Sequence, residues 1–161
     1  MQLPPARSTG LLVLCIAIPL IIGLIGSVFT MPEIAGWYAG LQKPAFNPPS
    51  WVFGPVWTLL YILMGVSLWL VVRDGTGGQP VRQAVVLFAA QLVANLAWSI
   101  LFFDMHMVFA AFLEIIVLFA LIAATTLTFR RINTAAGWLL VPYLCWTGFA
   151  TILTGSVWLL N

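Results

Sequence analysis

Apolar residues run along this chain in five long stretches separated by short polar clusters. The stretches are Leu11–Phe29, Trp51–Val72, Val81–Phe103, Met107–Phe129 and Ala135–Leu160. A helix rising 1.5 Å per residue needs about 20 mostly apolar residues to cross the hydrocarbon core of a bilayer. Each stretch meets that length. The pattern predicts an all-α integral membrane bundle of five transmembrane helices, forming one transmembrane domain over residues 1–161. Arg73-Asp74 with Gly75, Thr76, Gly77, Gly78 and Pro80 breaks the second stretch from the third. Asp104-Met105-His106 and Arg130-Arg131 make the later breaks. Connections this short force neighbouring helices to run antiparallel.

The first connection is different. Residues 30–50 form a longer link, and the wider stretch Met31–Tyr61 holds Pro32, Pro44, Pro48, Pro49 and Pro55, together with Lys43. Proline fixes φ and removes a backbone donor, so a continuous helix is not expected here. Trp37, Tyr38, Phe46, Trp51, Phe53, Trp57 and Tyr61 supply too much apolar area for a disordered segment. The reading is a structured lid leading into the second span. Pro32 and Glu33 suit the first turn of a short helix that carries Trp37 and Tyr38 and ends near Gly40.

Composition sharpens this picture. The chain is 63% hydrophobic and 6% charged, with mean hydropathy +1.11. Soluble domains average about 25% charged residues, so no water-facing surface can be built from this sequence. A net charge of +2 gives nucleic acid no basic surface to bind. Cys15 and Cys145 both sit in apolar stretches and read as small buried hydrophobes. His106 is the only histidine, and no metal-ligand spacing is present. Leu11–Phe29 is longer than a signal-peptide core of about 7–15 residues and lacks an A-x-A-like cleavage site, so it reads as a retained first span.

Inside the spans, polar and aromatic residues fall on single helix faces. Gln91, Asn95 and Trp98 share one face of the third span. Trp57, Tyr61 and Met64 do so in the second, and Tyr143, Trp146, Thr147 and Ala150 in the fifth. An amide in hydrocarbon is costly unless paired, so these faces should point into the bundle. Two readings stay open. The amides can glue helices together, with the tryptophans as packing or interfacial anchors. Alternatively, Trp57, Trp98 and Trp146 converge on a pocket for a flat apolar ligand. Trp51 and Trp138, near span ends, suit an aromatic belt. Glu114 lies within the fourth span. It should be protonated or bonded to a neighbouring helix, with Gln91 or Asn95 among the partners; a proton or cation relay is the alternative. The ridge Ala90, Ala94 and Ala97 permits close helix contact, either in a homodimer through the third span or inside the bundle.

No Walker loop, dinucleotide fingerprint or metalloprotease helix is present, and no Ser–His–Asp set. The run WY-x2-L-x-KP-x-FNPP-x-WVFGPVWTLLY (Trp37–Tyr61), with AQL-x2-N-x2-W in the third span and VPY-x2-W in the fifth, resembles the TspO/MBR family. The resemblance covers essentially the whole chain. It implies a five-helix bundle whose first loop closes a cavity, and a receptor- or transporter-like binding protein for porphyrin or haem. Family members also bind sterols and isoquinoline or benzodiazepine ligands. No bound cofactor is required. By motif position, Tyr38, Trp57, Tyr61, Asn95, Trp98, Trp146 and Ala150 would line the cavity, with Phe46 and Pro48 in the lid. Gln91 and Tyr143 join these as candidate ligand contacts from the helix faces. Some bacterial members promote light-dependent porphyrin degradation, which would place Trp57 and Trp146 in a photochemical role. A structural or regulatory role through protein partners is a third reading. The proposed sterol motif of animal members has no counterpart in ATILTGSVWLLN at the chain's end, so sterol recognition is not carried over with the rest.

Arg7, Arg73, Arg82, Arg130 and Arg131 lie on one side of the spans and Lys43 alone on the other. The positive-inside rule then places the N-terminus in the cytoplasm of a bacterial cell and the lid outside. A tag fused at Asn161 should be digested by protease added to intact cells; digestion only after the cells are opened would invert the topology.

Overall fold

The computed structural model describes residues 5–75 and 78–161, with side chains from Ser8 onward. Thr76 and Gly77 of the expected short loop, and the Arg7 side chain, lie outside that description. The protein is 88% helical, with no strand among the described residues. The helices are α1 (Pro5–Ile34), the short α2 (Trp37–Gly40), α3 (Phe53–Asp74), α4 (Gln79–Ser99), α5 (Val108–Ile132) and α6 (Thr134–Leu160). A 3-10 turn, Ser50–Val52, leads into α3, and a π-helical turn, Ile100–Asp104, ends α4. Five of these segments are long and apolar enough to cross a membrane. They close into a ring in which α1 packs on α3, α3 on α6, α6 on α5, α5 on α4, and α4 back on α1.

Two boundaries differ from the sequence reading. Pro32 and Glu33 do not open the short helix; they lie in the last turn of α1, which runs through Pro32 to Ile34. A proline inside a helix removes one bond, here to the Val28 carbonyl, and membrane helices tolerate that loss. The short helix starts only at Trp37, after Gly36. The third span also does not stop as a plain α-helix. Met105 N–H bonds the Ile100 carbonyl at 2.9 Å, five residues back. The wider turn brings Phe102 and Phe103 both into the interior.

Glycines set where helices touch. A Cβ at Gly23 would collide with the Tyr61 ring, and one at Gly65 would meet the Ile16 backbone and sit 2.8 Å from the Cys15 carbonyl. Pro19 cannot donate to that Cys15 carbonyl. The α1 backbone at the freed carbonyl is therefore covered by the only residue type of α3 small enough to approach it. Phe129 stacks on Phe88 at 5.8 Å between α5 and α4. Ala94 of the small ridge packs against the central core, while Ala90 and Ala97 are half-buried.

The polar centre of the bundle is one chain of hydrogen bonds. The Tyr61 hydroxyl donates to Asn95 Oδ1 at 2.8 Å. Asn95 Nδ2 donates to the Tyr143 hydroxyl at 3.1 Å, which donates to Gln91 Oε1 at 2.9 Å. Gln91 Nε2 lies 3.7 Å from Met64 Sδ. Gln91 and Tyr143 are each 1% exposed. The chain ties α3, α4 and α6 together, and every amide in it is paired. Separately, Ser67 donates to the Ala136 carbonyl at 2.7 Å, a second tie between α3 and α6.

Removing one member leaves its neighbours buried and unpaired, at a cost of about 1–3 kcal/mol for each orphaned group. Tyr143→Phe and Gln91→Leu should each lower the unfolding midpoint in lipid nanodiscs. The double variant should lose less than the sum, because both changes break the same bond. Additive losses would show that the two residues act independently.

Candidate ligand-binding site

A cavity of about 430 Å³ lies in the lid-side half of the bundle, enclosed by α1, α3, α4 and α6. That is within the range of pockets that hold small ligands, roughly 300–1,000 Å³. Its α1 wall is Leu20, Gly23, Leu24, Gly26, Ser27, Thr30, Met31 and Ile34, largely an i, i+3, i+4 stripe. The α3 wall is Phe53, Gly54, Trp57, Thr58 and Tyr61, preceded by Ser50 and Trp51. From α4 and its π turn come Asn95, Trp98, Ser99, Phe102 and Phe103, and from α6 Trp146, Ala150, Leu153, Thr154 and Val157. Tyr38 of the lid closes the top. Among the described residues α5 contributes nothing to the lining.

Of the residues expected at the site, Tyr38, Trp57, Tyr61, Asn95, Trp98, Trp146 and Ala150 do line this cavity. Gln91 and Tyr143 do not; they stand behind Asn95 and hold it in place through the bonds described above. Phe46 and Pro48 are also absent from the lining. Phe46 is exposed and packs edge-on against Phe149 at 6.2 Å, outside the cavity. Lys43 is not a cavity cation either: its Nζ donates to the Ala39 and Leu41 carbonyls and lies over the Tyr38 ring. Sequence reasoning missed the α1 stripe and Phe102 and Phe103. The spacing of Gly23 and Gly26 hinted at the first. A π turn has no comparable sequence signal.

The aromatic rings of the wall contact one another in three groups. Trp57 stacks on Tyr61 at 5.5 Å and meets Tyr143 edge-on at 6.1 Å. Trp98 stacks on Phe102 at 5.2 Å. Trp146 meets Phe53 edge-on at 5.9 Å. The indole N–H groups of Trp98 and Trp146 are buried without a hydrogen-bond partner, as are Thr147 Oγ1 and Glu114 Oε2. Among the described residues no hydrogen bond joins Glu114 to Gln91 or Asn95, whose bonds go to Tyr61, Tyr143 and Met64. No group of three or more His, Cys, Asp or Glu assembles among the described residues.

The lid is held at both ends. Asn161, at the end of α6, accepts from Gln42 N–H and donates to the Gln42 carbonyl, both at 2.9 Å. On the other side, His106 Nε2 lies 3.1 Å from Glu33 Oε2, and its ring stacks on Trp37 at 4.1 Å. His106 takes a left-handed backbone, φ 55°, which costs an ordinary residue some strain. Within the lid the Tyr38 hydroxyl donates to Asn47 Oδ1 at 2.9 Å. Burial pushes the Tyr38 phenol up, so Tyr38 remains a neutral donor at physiological pH.

Comparison with known proteins agrees with this architecture. A profile described as "TspO/MBR family" matches residues 15–159. The chain is 46% identical over 151 residues to "Tryptophan-rich protein TspO" of Chlorobaculum tepidum, covering 93% of this chain and 95% of that one. It is 41% identical over 150 residues to the protein of the same description from Archaeoglobus fulgidus, covering 93% and 96%. It is 40% identical over 136 residues to the human "Translocator protein", covering 83% and 80%. With five membrane-length helices and a match along nearly its full length, this chain belongs to the TspO/MBR family as a multi-pass integral membrane protein.

Proposed function

We propose that this protein binds a porphyrin or haem-type tetrapyrrole in the cavity between α1, α3, α4 and α6, acting as a membrane receptor or transporter. The observation that carries the reading is the wall itself. Trp57, Tyr61, Trp98, Phe102 and Trp146 present rings to one space, and the hydrogen-bonded Tyr61–Asn95 pair is its polar corner. Rings offer a macrocycle stacking and edge contacts that a purely aliphatic pocket does not. No His or Cys is among the lining residues. Recognition in this reading therefore rests on the faces and edges of the macrocycle, not on an axial imidazole or thiolate.

Protoporphyrin IX titrated into nanodisc-embedded protein should quench tryptophan fluorescence saturably. The double variant Trp57→Ala with Trp146→Ala should bind about tenfold more weakly, the size expected for losing two aromatic contacts. An unchanged Kd in that variant would sink the pocket assignment.

A second reading is favoured by one observation: both Trp57 and Trp146 reach the same cavity. An indole there can donate one electron to a light-excited porphyrin, leaving an indole radical cation and a reduced porphyrin; with dissolved oxygen as the oxidant, this suits light-driven porphyrin degradation. Illumination of the porphyrin complex should then yield a defined product with the natural sequence and not with Trp146→Phe. Equal, featureless bleaching in both would leave binding as the whole function.

A further inference from the structure

The exposed part of the cavity lining is confined to one seam. From α4 and α6, every lining residue is buried or half-buried. From α1, by contrast, Leu24 and Met31 are 66% and 69% exposed, and from the start of α3 Trp51 is 75% exposed. Gly54 and Thr58, which also line the cavity, are exposed as well. Residues that face both the cavity and the outside mark its mouth, and the mouth therefore lies between the lid-side halves of α1 and α3.

Its lower edge is fixed. Gly23 against the Tyr61 ring closes its floor, and Gly65 against the Ile16 backbone brings the two helices into close contact below it. Above Gly23 the helices are separated by cavity. The opening runs from Leu24 to Met31, seven residues or about 10 Å along α1. Both residues fall inside the first membrane-length span, Ser8–Ile34. The opening therefore faces the bilayer, and its margin is apolar or small.

The roof has the opposite character. Asn161 pairs with the Gln42 backbone on one side, and His106 holds Glu33 and Trp37 on the other. Reaching the cavity from water means breaking those contacts and withdrawing the buried Tyr38. Among the described residues no hydrogen bond joins the lid-side halves of α1 and α3; the Trp69 indole donates to the Ser8 carbonyl only at their far ends.

We propose that the cavity exchanges its occupant with the bilayer, laterally between α1 and α3, and that the lid is a fixed roof, not the door. The partner at this surface is an apolar molecule dissolved among the acyl chains. The route does not depend on which such molecule fills the cavity, and its test needs no porphyrin.

The test uses a cysteine on the far wall. Ala150→Cys is placed in the full chain carrying Cys145→Ser, because Cys145, read from the sequence as buried, is exposed; Cys15 is buried as expected and stays, and the parent without Ala150→Cys gives the background. Protein in lipid vesicles is treated with pyrenylmaleimide, which partitions into the bilayer, or with a sulfonated, membrane-impermeant maleimide supplied from the lid side. Labelling by pyrenylmaleimide should be faster by about tenfold or more, because a fixed charge is excluded from a hydrocarbon-facing mouth. Gly54→Trp should then slow pyrenylmaleimide by a similar factor. A Cβ at Gly54 meets nothing within 4 Å, so the indole enters the mouth without disturbing the helix backbone. Thr58→Trp, at another exposed lining position, is the second plug should the first fail to fold. Slowing by either folded plug variant, with the charged reagent slow, supports the lateral route. Equal labelling by the two reagents, or faster labelling by the charged one, would return the door to the lid. An unchanged pyrenylmaleimide rate in the folded plug variants would also overturn the proposal.

Discussion

A polar side chain inside hydrocarbon has no water to bind, so its partners must come from the protein. The bundle is arranged around that constraint. Two of its membrane-embedded amides, Gln91 and Asn95, share one face of α4, and each takes its partners from other helices. The hydroxyl of Tyr143 on α6 lies between them, accepting from Asn95 and donating to Gln91. Tyr61 of α3 completes the chain. Three helices are thus fixed in rotation as well as in distance. A slip of any one would leave an amide unpaired in a medium that offers no substitute.

The same economy appears in the backbone. Pro19 frees the Cys15 carbonyl within the bilayer, and Gly65 brings α3 onto that stretch of α1. Membrane helices gain little from burying apolar surface against one another, because lipid is as apolar as the protein; close backbone packing has to replace that driving force. The tight contacts between α1 and α3 are therefore made by glycines facing backbone or ring. The two helices touch at Gly23 and Gly65 and separate beyond Gly23. The cavity of the lid-side half begins where that contact ends.

Much of this was legible in the sequence. Twenty-residue apolar runs fix helix number and order, since their length is set by the bilayer and not by the fold. Spacing of three and four put Asn95 and Trp98 on one face and Tyr143 and Trp146 on another, and the inward direction of both is correct. What spacing could not show was which inward-facing groups consume one another. Gln91 and Tyr143 looked like ligand contacts because their partners lie 52 residues apart in sequence. His106 looked solitary for the same reason: Glu33 is 73 residues away. Pro32 misled because a proline near the end of a membrane helix loses a single bond and need not stop the turn. Phe102 and Phe103 were unreadable as a pair, since an α-helix would point one of them away and only the π turn turns both inward.

The hydrogen-bond chain also limits what the cavity can recognise. Of its members only Tyr61 and Asn95 reach the lining. The Tyr61 proton is committed to Asn95, but its oxygen can still accept. Asn95 Nδ2 spends one N–H on Tyr143 and keeps a second. An occupant can therefore take one donor and one acceptor at this corner without breaking a bond that holds the bundle together. Anything more polar would have to compete with the bonds that set helix rotation. The site is consequently suited to a ligand that is apolar over most of its surface, with few polar groups directed at one corner, and discrimination among such ligands falls to the shape of the aromatic wall.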